Sequence, residues 1–131
     1  MKKEKLLNPD IIAAVAALGH TEFFCIADCG LPIPKDVTLI DISVTAAIPN
    51  FLQVLKAVES ELVIESYICA NEIDKVNPHT MKEMEKILAG KQVKKVPHEE
   101  FKELTSRAKY IIRTGETSPY ANVILVGGVN F

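Results

Sequence analysis

The length, composition and charge of the chain exclude several classes of protein. Its 131 residues match the usual size of one domain, and 48% hydrophobic with 24% charged residues exclude a mostly disordered chain. A net charge of −2, without an arginine- and lysine-rich cluster among aromatic residues, argues against a nucleic-acid partner.

The first half of the chain alternates predicted helices and strands. Asn8-Pro9-Asp10 combines an N-cap side chain, a proline and an acid, which is typical of a helix start. Short apolar runs rich in β-forming residues predict strands. In chain order we predict a helix up to Gly19, strands over Phe23–Ala27 and Val37–Ile42, and an amphipathic helix from Pro49.

The second half continues the same alternation. Asn77-Pro78 repeats the Asn-Pro helix start, and Gly90 provides the corresponding stop. In chain order we predict a strand over Leu62–Cys69, a helix up to Gly90, a weaker strand over Val93–Val96, a short helix from Pro97, and strands around Tyr110–Ile112 and over Asn122–Val129.

This order of elements predicts the fold. We expect a single α/β domain over residues 1–131, with a largely parallel or mixed central sheet covered by helices on both faces. Ligands of such sheets bind where strands end in loops. Polar residues just past the strand ends are therefore the first candidates for a functional site.

The apolar segments and the cysteines predict where the protein works. No apolar run approaches the roughly 18 to 20 residues that cross a bilayer, and no secretory signal follows the lysine-rich start. The three cysteines are odd in number, and two of them lie in or beside apolar segments, as buried thiols in a reducing compartment usually do. We predict a cytoplasmic protein without membrane contact or disulfides.

Two of the three histidines lie at predicted junctions between elements. His20 follows Gly19 and His98 follows Pro97, whereas His79 lies in the first turn of a predicted helix and is expected at the surface. Junction loops carry function more often than element interiors do. A helix cap or a solvated side chain remains the alternative for both junction histidines.

Asp28 stands at the end of the first predicted strand, eight residues after His20. A carboxylate is costly to bury without a partner, so its position indicates a polar neighbour. One interpretation places it near His20 across the helix-turn-strand passage. The alternative is that Asp28 caps the following Gly30-Leu31-Pro32 turn, as aspartate often does.

The segment Arg113–Asn122 places seven hydrogen-bonding side chains and one proline between two apolar strands. On an extended chain, Tyr120 and Asn122 would point to the same side and bind the hydroxyls of one polar ligand. The alternative is a solvated turn with the tyrosine packed as a lid.

Patterns typical of metal and nucleotide sites are missing. Cys25 and Cys29 have no second Cys or His pair at zinc spacing, and His98-Glu99-Glu100 has no second histidine. Gly127-Gly128 lies too late in the chain to open a dinucleotide-binding unit. We predict no metal and no cofactor, which leaves proton transfer as the feasible chemistry.

Four motifs follow the order of a known family. They are Leu18–Thr21, Ile26–Pro34, His98–Lys102 and Arg113–Glu116 with Pro119–Asn122. On these residues, which extend over nearly the whole chain, the sequence resembles the RbsD/FucU sugar-mutarotase family. Two departures are Glu22, where a shorter acid is usual, and Ala46-Ala47 in place of a glycine-containing turn.

The resemblance implies an isomerase that interconverts cyclic forms of a free monosaccharide. The ribose branch of the family exchanges β-D-ribopyranose and β-D-ribofuranose, and the fucose branch exchanges anomers. D-ribose is therefore the expected substrate. The alternatives are a mutarotase for L-fucose or another sugar, and a non-catalytic sugar-binding protein.

The resemblance also implies roles for particular residues. His20 would be the general acid, and the sugar would be held by Asp28, His98, Tyr120 and Asn122, with Lys102 as an additional polar contact. Asp28 would orient or charge His20, or receive a sugar hydroxyl. The family further implies a ring-shaped homo-oligomer, commonly a homodecamer, with the site between neighbouring subunits.

Overall fold

A six-stranded mixed sheet forms the centre of the domain. The computed structural model describes residues 1–131. The strands are β1 Phe23–Ala27, β2 Thr38–Asp41, β3 Ile64–Ala70, β4 Gln92–Val96, β5 Ala108–Arg113 and β6 Val123–Gly127. Their order in the sheet is β2-β5-β1-β6-β3-β4. β6 is antiparallel to both neighbours and the other pairs are parallel, which confirms the predicted mixed sheet.

Five α-helices accompany the sheet. They are α1 Pro9–Ala17, α2 Phe51–Glu59, α3 Ile73–Val76, α4 Pro78–Ile87 and α5 His98–Leu104, and a 3-10 turn follows over Thr105–Arg107. The Asn8 side chain accepts hydrogen bonds from the backbone N–H of Asp10 and Ile11, which confirms the predicted start of α1. α3 is absent from the sequence prediction because four residues are too few to show a helical period. None of these helices has the length and apolar character needed to cross a membrane.

Side chains of β1 alternate between two hydrophobic cores, one on each face of the sheet. Phe24 and Ile26 belong to the larger core, which α1, α2 and α4 cover. Cys25 and Ala27 belong to the smaller core, where Phe101 of α5 packs against the opposite face. Both faces of the sheet are therefore covered by helices, as the sequence predicts.

The directions of the strands divide the ends of the sheet into two groups of loops. β1, β3, β4 and β5 run in parallel and end at one side, which we name the carboxyl edge. At the opposite side, the amino edge, these strands begin and the antiparallel β6 ends. Asp28 follows β1 at the carboxyl edge, whereas His20 precedes β1 at the amino edge.

We expect Ile111→Ala to lower the free energy of unfolding by about 2–5 kcal/mol, because it removes a fully buried side chain from the core. Leu39→Ala is the matched control. Leu39 is the register partner of Ile111 on edge strand β2, but it is 37% exposed, so the loss should stay below about 1 kcal/mol. Urea denaturation measures both, and equal losses would contradict the assignment of the core.

Candidate active site

A reciprocal pair of hydrogen bonds joins Asp28 to Asn122 at the carboxyl edge. The Asp28 backbone N–H donates to Asn122 Oδ1 at 2.8 Å, and Asn122 Nδ2 donates to Asp28 Oδ2 at 2.9 Å. The Gly30 N–H donates to Asp28 Oδ1 at 2.9 Å, so Asp28 also caps its own turn, as the alternative interpretation predicts. Asn122 is buried and Asp28 half-buried. The pair therefore holds a carboxylate in a fixed position at the protein surface.

His98 also lies at the carboxyl edge, at the start of α5 and just after the end of β4. Its backbone N–H donates to both carboxylate oxygens of Glu72 at 3.1 Å, which anchors the first turn of the helix. The imidazole packs edge-on against the ring of Tyr120, with 5.0 Å between the ring centroids. Its Nδ1 atom is buried and has no hydrogen-bond partner. Buried polar atoms are nearly always paired, so the unpaired Nδ1 of His98 is an exception in this structure.

Tyr120, which contacts His98, lies in a turn and not in an extended segment. Its φ is +58°, in the left-handed region that bulky residues rarely adopt, and the Asn122 N–H donates to the Tyr120 carbonyl oxygen at 2.9 Å. The predicted strand alternation of these two residues is therefore wrong, and β6 begins after them, at Val123. Backbone strain of this kind is concentrated at functional sites, where the surrounding structure enforces it.

Lys102 lies one helical turn after His98 on α5, so the two side chains share a face of the helix. Its ammonium group forms an ion pair with Glu99 Oε1 at 2.8 Å, and the side chain is 33% exposed. Lys102 thus lies on the same helix face as His98, with its charge already balanced by Glu99.

Thr114 and Glu116 attach the Arg113–Asn122 segment to the rest of the domain. Thr114 Oγ1 donates to the Ala27 carbonyl oxygen at 2.8 Å. Glu116 Oε1 accepts from the Phe51 N–H at the start of α2, and Oε2 accepts from the N–H groups of Thr117 and Ser118, each at 3.1 Å. The high density of polar side chains in this segment is explained largely by these internal contacts.

Asn77 supports the same segment from the far side. It precedes α4, where the Asn-Pro pattern predicts a cap, but its side chain forms no cap hydrogen bond. Instead, Asn77 Nδ2 donates to Ser118 Oγ and to the Pro119 carbonyl oxygen, each at 2.9 Å. Sequence reasoning missed this role, because a local helix-start pattern contains no information on a partner 41 residues away.

His20 lies at the amino edge, at the opposite end of β1 from the Asp28–Asn122 pair. β1 separates the two edges and spans about 16 Å at the usual rise per residue. His20 Nε2 is 3.0 Å from Glu65 Oε2, and both side chains are about half exposed. Within one copy of the chain, the expectation that Asp28 orients His20 is therefore wrong. The extended strand between them carries the two residues apart.

The turn that carries His20 is held by several contacts. Glu22 Oε2 accepts from the Gly19 N–H at 2.6 Å and from Lys109 Nζ at 3.0 Å, and these interactions hold the pKa of Glu22 below its ordinary value. Thr21 has φ +67°, which is unusual for a β-branched residue, and its N–H donates to the Gly127 carbonyl oxygen. The departure at Glu22 thus provides an anchor for the His20 turn.

The fold and this arrangement agree with one family. A model of the RbsD / FucU transport protein family matches residues 1–130, and the chain belongs to this family. The predicted resemblance is confirmed.

Individual relatives narrow the comparison. The D-ribose pyranase of Bacillus cytotoxicus is 51% identical over 131 residues and all of both chains, and that of Geobacillus thermodenitrificans is 47% identical over all of this chain and 99% of its own. The structure of Bacillus subtilis RbsD complexed with D-ribose has a TM-score of 0.97 and 42% identity, with complete coverage of both chains. The fucose mutarotase of Streptococcus pneumoniae in complex with L-fucose has a TM-score of 0.84 and 24% identity, covers 97% of this chain and 96% of its own, and supports the fold alone.

Acid should weaken the attachment of the Arg113–Asn122 segment. Burial alone would raise the pKa of Glu116, but hydrogen bonds from Ser118, Phe51 and Thr117 more than offset this and hold the pKa below its ordinary value. A carboxyl group with a lowered pKa stabilises the fold above the unfolded pKa near 4.5, and this contribution is lost as the pH falls through the folded pKa.

We therefore expect Glu116→Gln to lower the free energy of unfolding by about 1 kcal/mol at pH 7, and by less at pH 3. Urea denaturation at both pH values measures the difference, with Glu85→Gln on the exposed face of α4 as the control. A loss that is the same at pH 7 and pH 3 would show that the charge of Glu116 does not contribute.

Proposed function

We propose that this protein interconverts the pyranose and furanose forms of D-ribose by opening and reclosing the sugar ring. The observation that carries the proposal is the full-length match, at 47–51% identity, to relatives named D-ribose pyranase. The Bacillus subtilis RbsD structure, which contains D-ribose, has the same fold at a TM-score of 0.97. Both observations support a sugar isomerase.

The side chains supply the chemistry that ring opening needs. A cyclic sugar opens when the ring oxygen receives a proton and the anomeric hydroxyl loses one, and closure through a different hydroxyl reverses both transfers. An imidazole with a pKa near 6.5 gives and takes protons near neutral pH, and such catalysis typically contributes about 10²- to 10⁴-fold. Because the reaction also proceeds slowly in water, proton transfer is sufficient. His20 is the proton carrier in this proposal.

The carboxyl edge supplies the ligands for the sugar. The fixed Asp28 carboxylate accepts hydrogen bonds from hydroxyl groups, and the half-buried His98 side chain offers a further contact. The Tyr120 ring forms one wall, Asn122 fixes the carboxylate, and Lys102 lies one turn along α5. This set binds one polar molecule in a defined orientation.

The distance between His20 and this set requires a second copy of the chain. β1 holds the two groups about 16 Å apart, which exceeds the length of a pentose, so one copy cannot place His20 on a sugar bound at its own carboxyl edge. We propose that each site combines the carboxyl edge of one subunit with His20 of a neighbour, in a ring-shaped homodecamer. The half-exposed position of His20 supports this arrangement.

We place this activity in the cytoplasm, in ribose catabolism. Cys29 is an exposed free thiol, and Cys25 and Cys69 are buried free thiols, a state that a reducing compartment maintains.

Saturation-transfer NMR on D-ribose tests the proposed activity. We expect the wild-type protein to accelerate pyranose–furanose exchange, and His20→Ala to lower the rate by about 10²- to 10⁴-fold while retaining sugar binding. His79→Ala, a change to an exposed histidine of α4, is the control and should be fully active. Exchange of L-fucose anomers alone would identify the other sugar, and binding of D-ribose without any exchange would identify a non-catalytic binding protein.

Mixed oligomers test the shared site. His20→Ala and His98→Ala should each be inactive as pure proteins, because one lacks the proton carrier and the other a sugar contact. Co-expression should restore about a quarter of the sites, since random assembly pairs an intact His20 with an intact carboxyl edge at that frequency. Mixed oligomers without any recovered exchange, with both variants folded by circular dichroism, would contradict a site built from two copies.

A further inference from the structure

The hydrogen bond between His20 and Glu65 determines which imidazole nitrogen is free. His20 Nε2 lies 3.0 Å from Glu65 Oε2. An ionised carboxylate only accepts hydrogen bonds, so Nε2 must carry the hydrogen. In the neutral ring the other nitrogen, Nδ1, then has a free lone pair. The nitrogen that faces away from Glu65 is therefore the basic one.

The fold directs Glu65 toward this nitrogen. The pairing of β3 with β6 shifts register between Ile64 and Ser66, so Glu65 lies at an irregularity of the strand. Bulges of this kind change the direction of a side chain and are frequent next to active sites. Outside such an irregularity, Glu65 would follow the regular alternation of β3.

Two glycines at the end of β6 allow the His20 turn and Glu65 to lie side by side. A Cβ atom on Gly127 would overlap the carbonyl oxygen of Gly19. A Cβ atom on Gly128 would lie 3.3 Å from the Glu65 backbone nitrogen. The Gly127-Gly128 pair thus passes between the two elements with no side chain of its own.

Contacts that do not involve Glu65 hold the backbone around His20 in place. Contacts of Glu22 with Gly19 and Lys109 hold one side of the turn, and the Thr21–Gly127 hydrogen bond at 2.8 Å holds the other. Thr21 remains in the left-handed region under these constraints. With the backbone held, the imidazole of His20 can still rotate about its side-chain bonds. The hydrogen bond to Glu65 restricts this rotation.

We propose that Glu65 is a positioning residue for His20, and that Nδ1 of His20 exchanges protons with the sugar. The inference rests on the proposed role of His20 as proton carrier. When Nδ1 takes up a proton, the resulting imidazolium lies against the Glu65 carboxylate, and when it returns the proton the ring keeps its hydrogen on Nε2. Glu65 itself touches no sugar atom.

Nitrogen-15 NMR of the sugar-free protein tests the orientation separately from activity. With His20 assigned by the loss of its signals in His20→Gln, the neutral imidazole of the wild type should be the tautomer with hydrogen on Nε2. Glu65→Ala should give a mixture of both tautomers. A wild-type ring with hydrogen on Nδ1 would overturn the inference, whether or not the protein exchanges ribose.

Exchange kinetics test the positioning role. We expect Glu65→Ala to lower kcat for ribose exchange by roughly 2- to 5-fold with KM unchanged, as suits an exposed ion pair. Glu65→Gln should recover most of the rate, since its amide oxygen accepts the same hydrogen. Glu85→Ala, an exposed carboxylate on α4, is the control. An unchanged kcat in Glu65→Ala would overturn the role, whereas an inactive wild type would refute the proposed function instead.

Discussion

β1 pairs with the parallel strand β5 along its whole length, and with the antiparallel strand β6 from Phe23 to Ile26. Its residues from Phe24 to Ala27 are completely buried, so the strand can neither bend nor shift without opening both cores. This rigid spacer sets the separation between the two polar groups at its ends. The proposal that the active site needs two copies of the chain follows from this single constraint.

β6, which is antiparallel to β1, contacts the polar groups at both ends of β1. At its start, Asn122 forms the reciprocal pair with Asp28, and at its end, Gly127 accepts the hydrogen bond of the His20 turn. A parallel strand in this position would begin at the amino edge and end at the carboxyl edge. Asn122 would then lie at the His20 end of the sheet and Gly127 at the Asp28 end. The one reversed strand of the sheet therefore supports both the proposed sugar ligands and the proposed proton carrier.

Most polar side chains around the proposed site form hydrogen bonds that hold nearby backbone segments in place. Glu116 and Asn77 fix the segment before Tyr120, and Glu72 fixes the first turn of α5. Such contacts reduce the motion of ligand side chains, and preorganised geometry favours both binding and proton transfer. In the proposed site, the half-buried Asp28 carboxylate is then the group that a sugar hydroxyl contacts.

Local patterns were sufficient to predict most helices and strands. Asn8 caps α1 as expected, and the apolar run at Phe23–Ala27 is β1 with the predicted bounds. Short or irregular elements were not predictable in this way: α3 has four residues, and Tyr120 occupies a left-handed turn that its residue type disfavours. α3 is too short to show a helical period, whereas at Tyr120 contacts with residues distant in the chain, such as His98, override the local preference.

The sequence by itself determined the α/β class, the order of the elements and the family, because these depend on periodicity, caps and motifs that are local in the chain. It also selected the residues at which to look. Only the tertiary structure decided the partners: Asp28 pairs with Asn122, His20 with Glu65, and Asn77 with the segment before Tyr120. These pairings depend on strand direction and register, which bring together residues far apart in the chain.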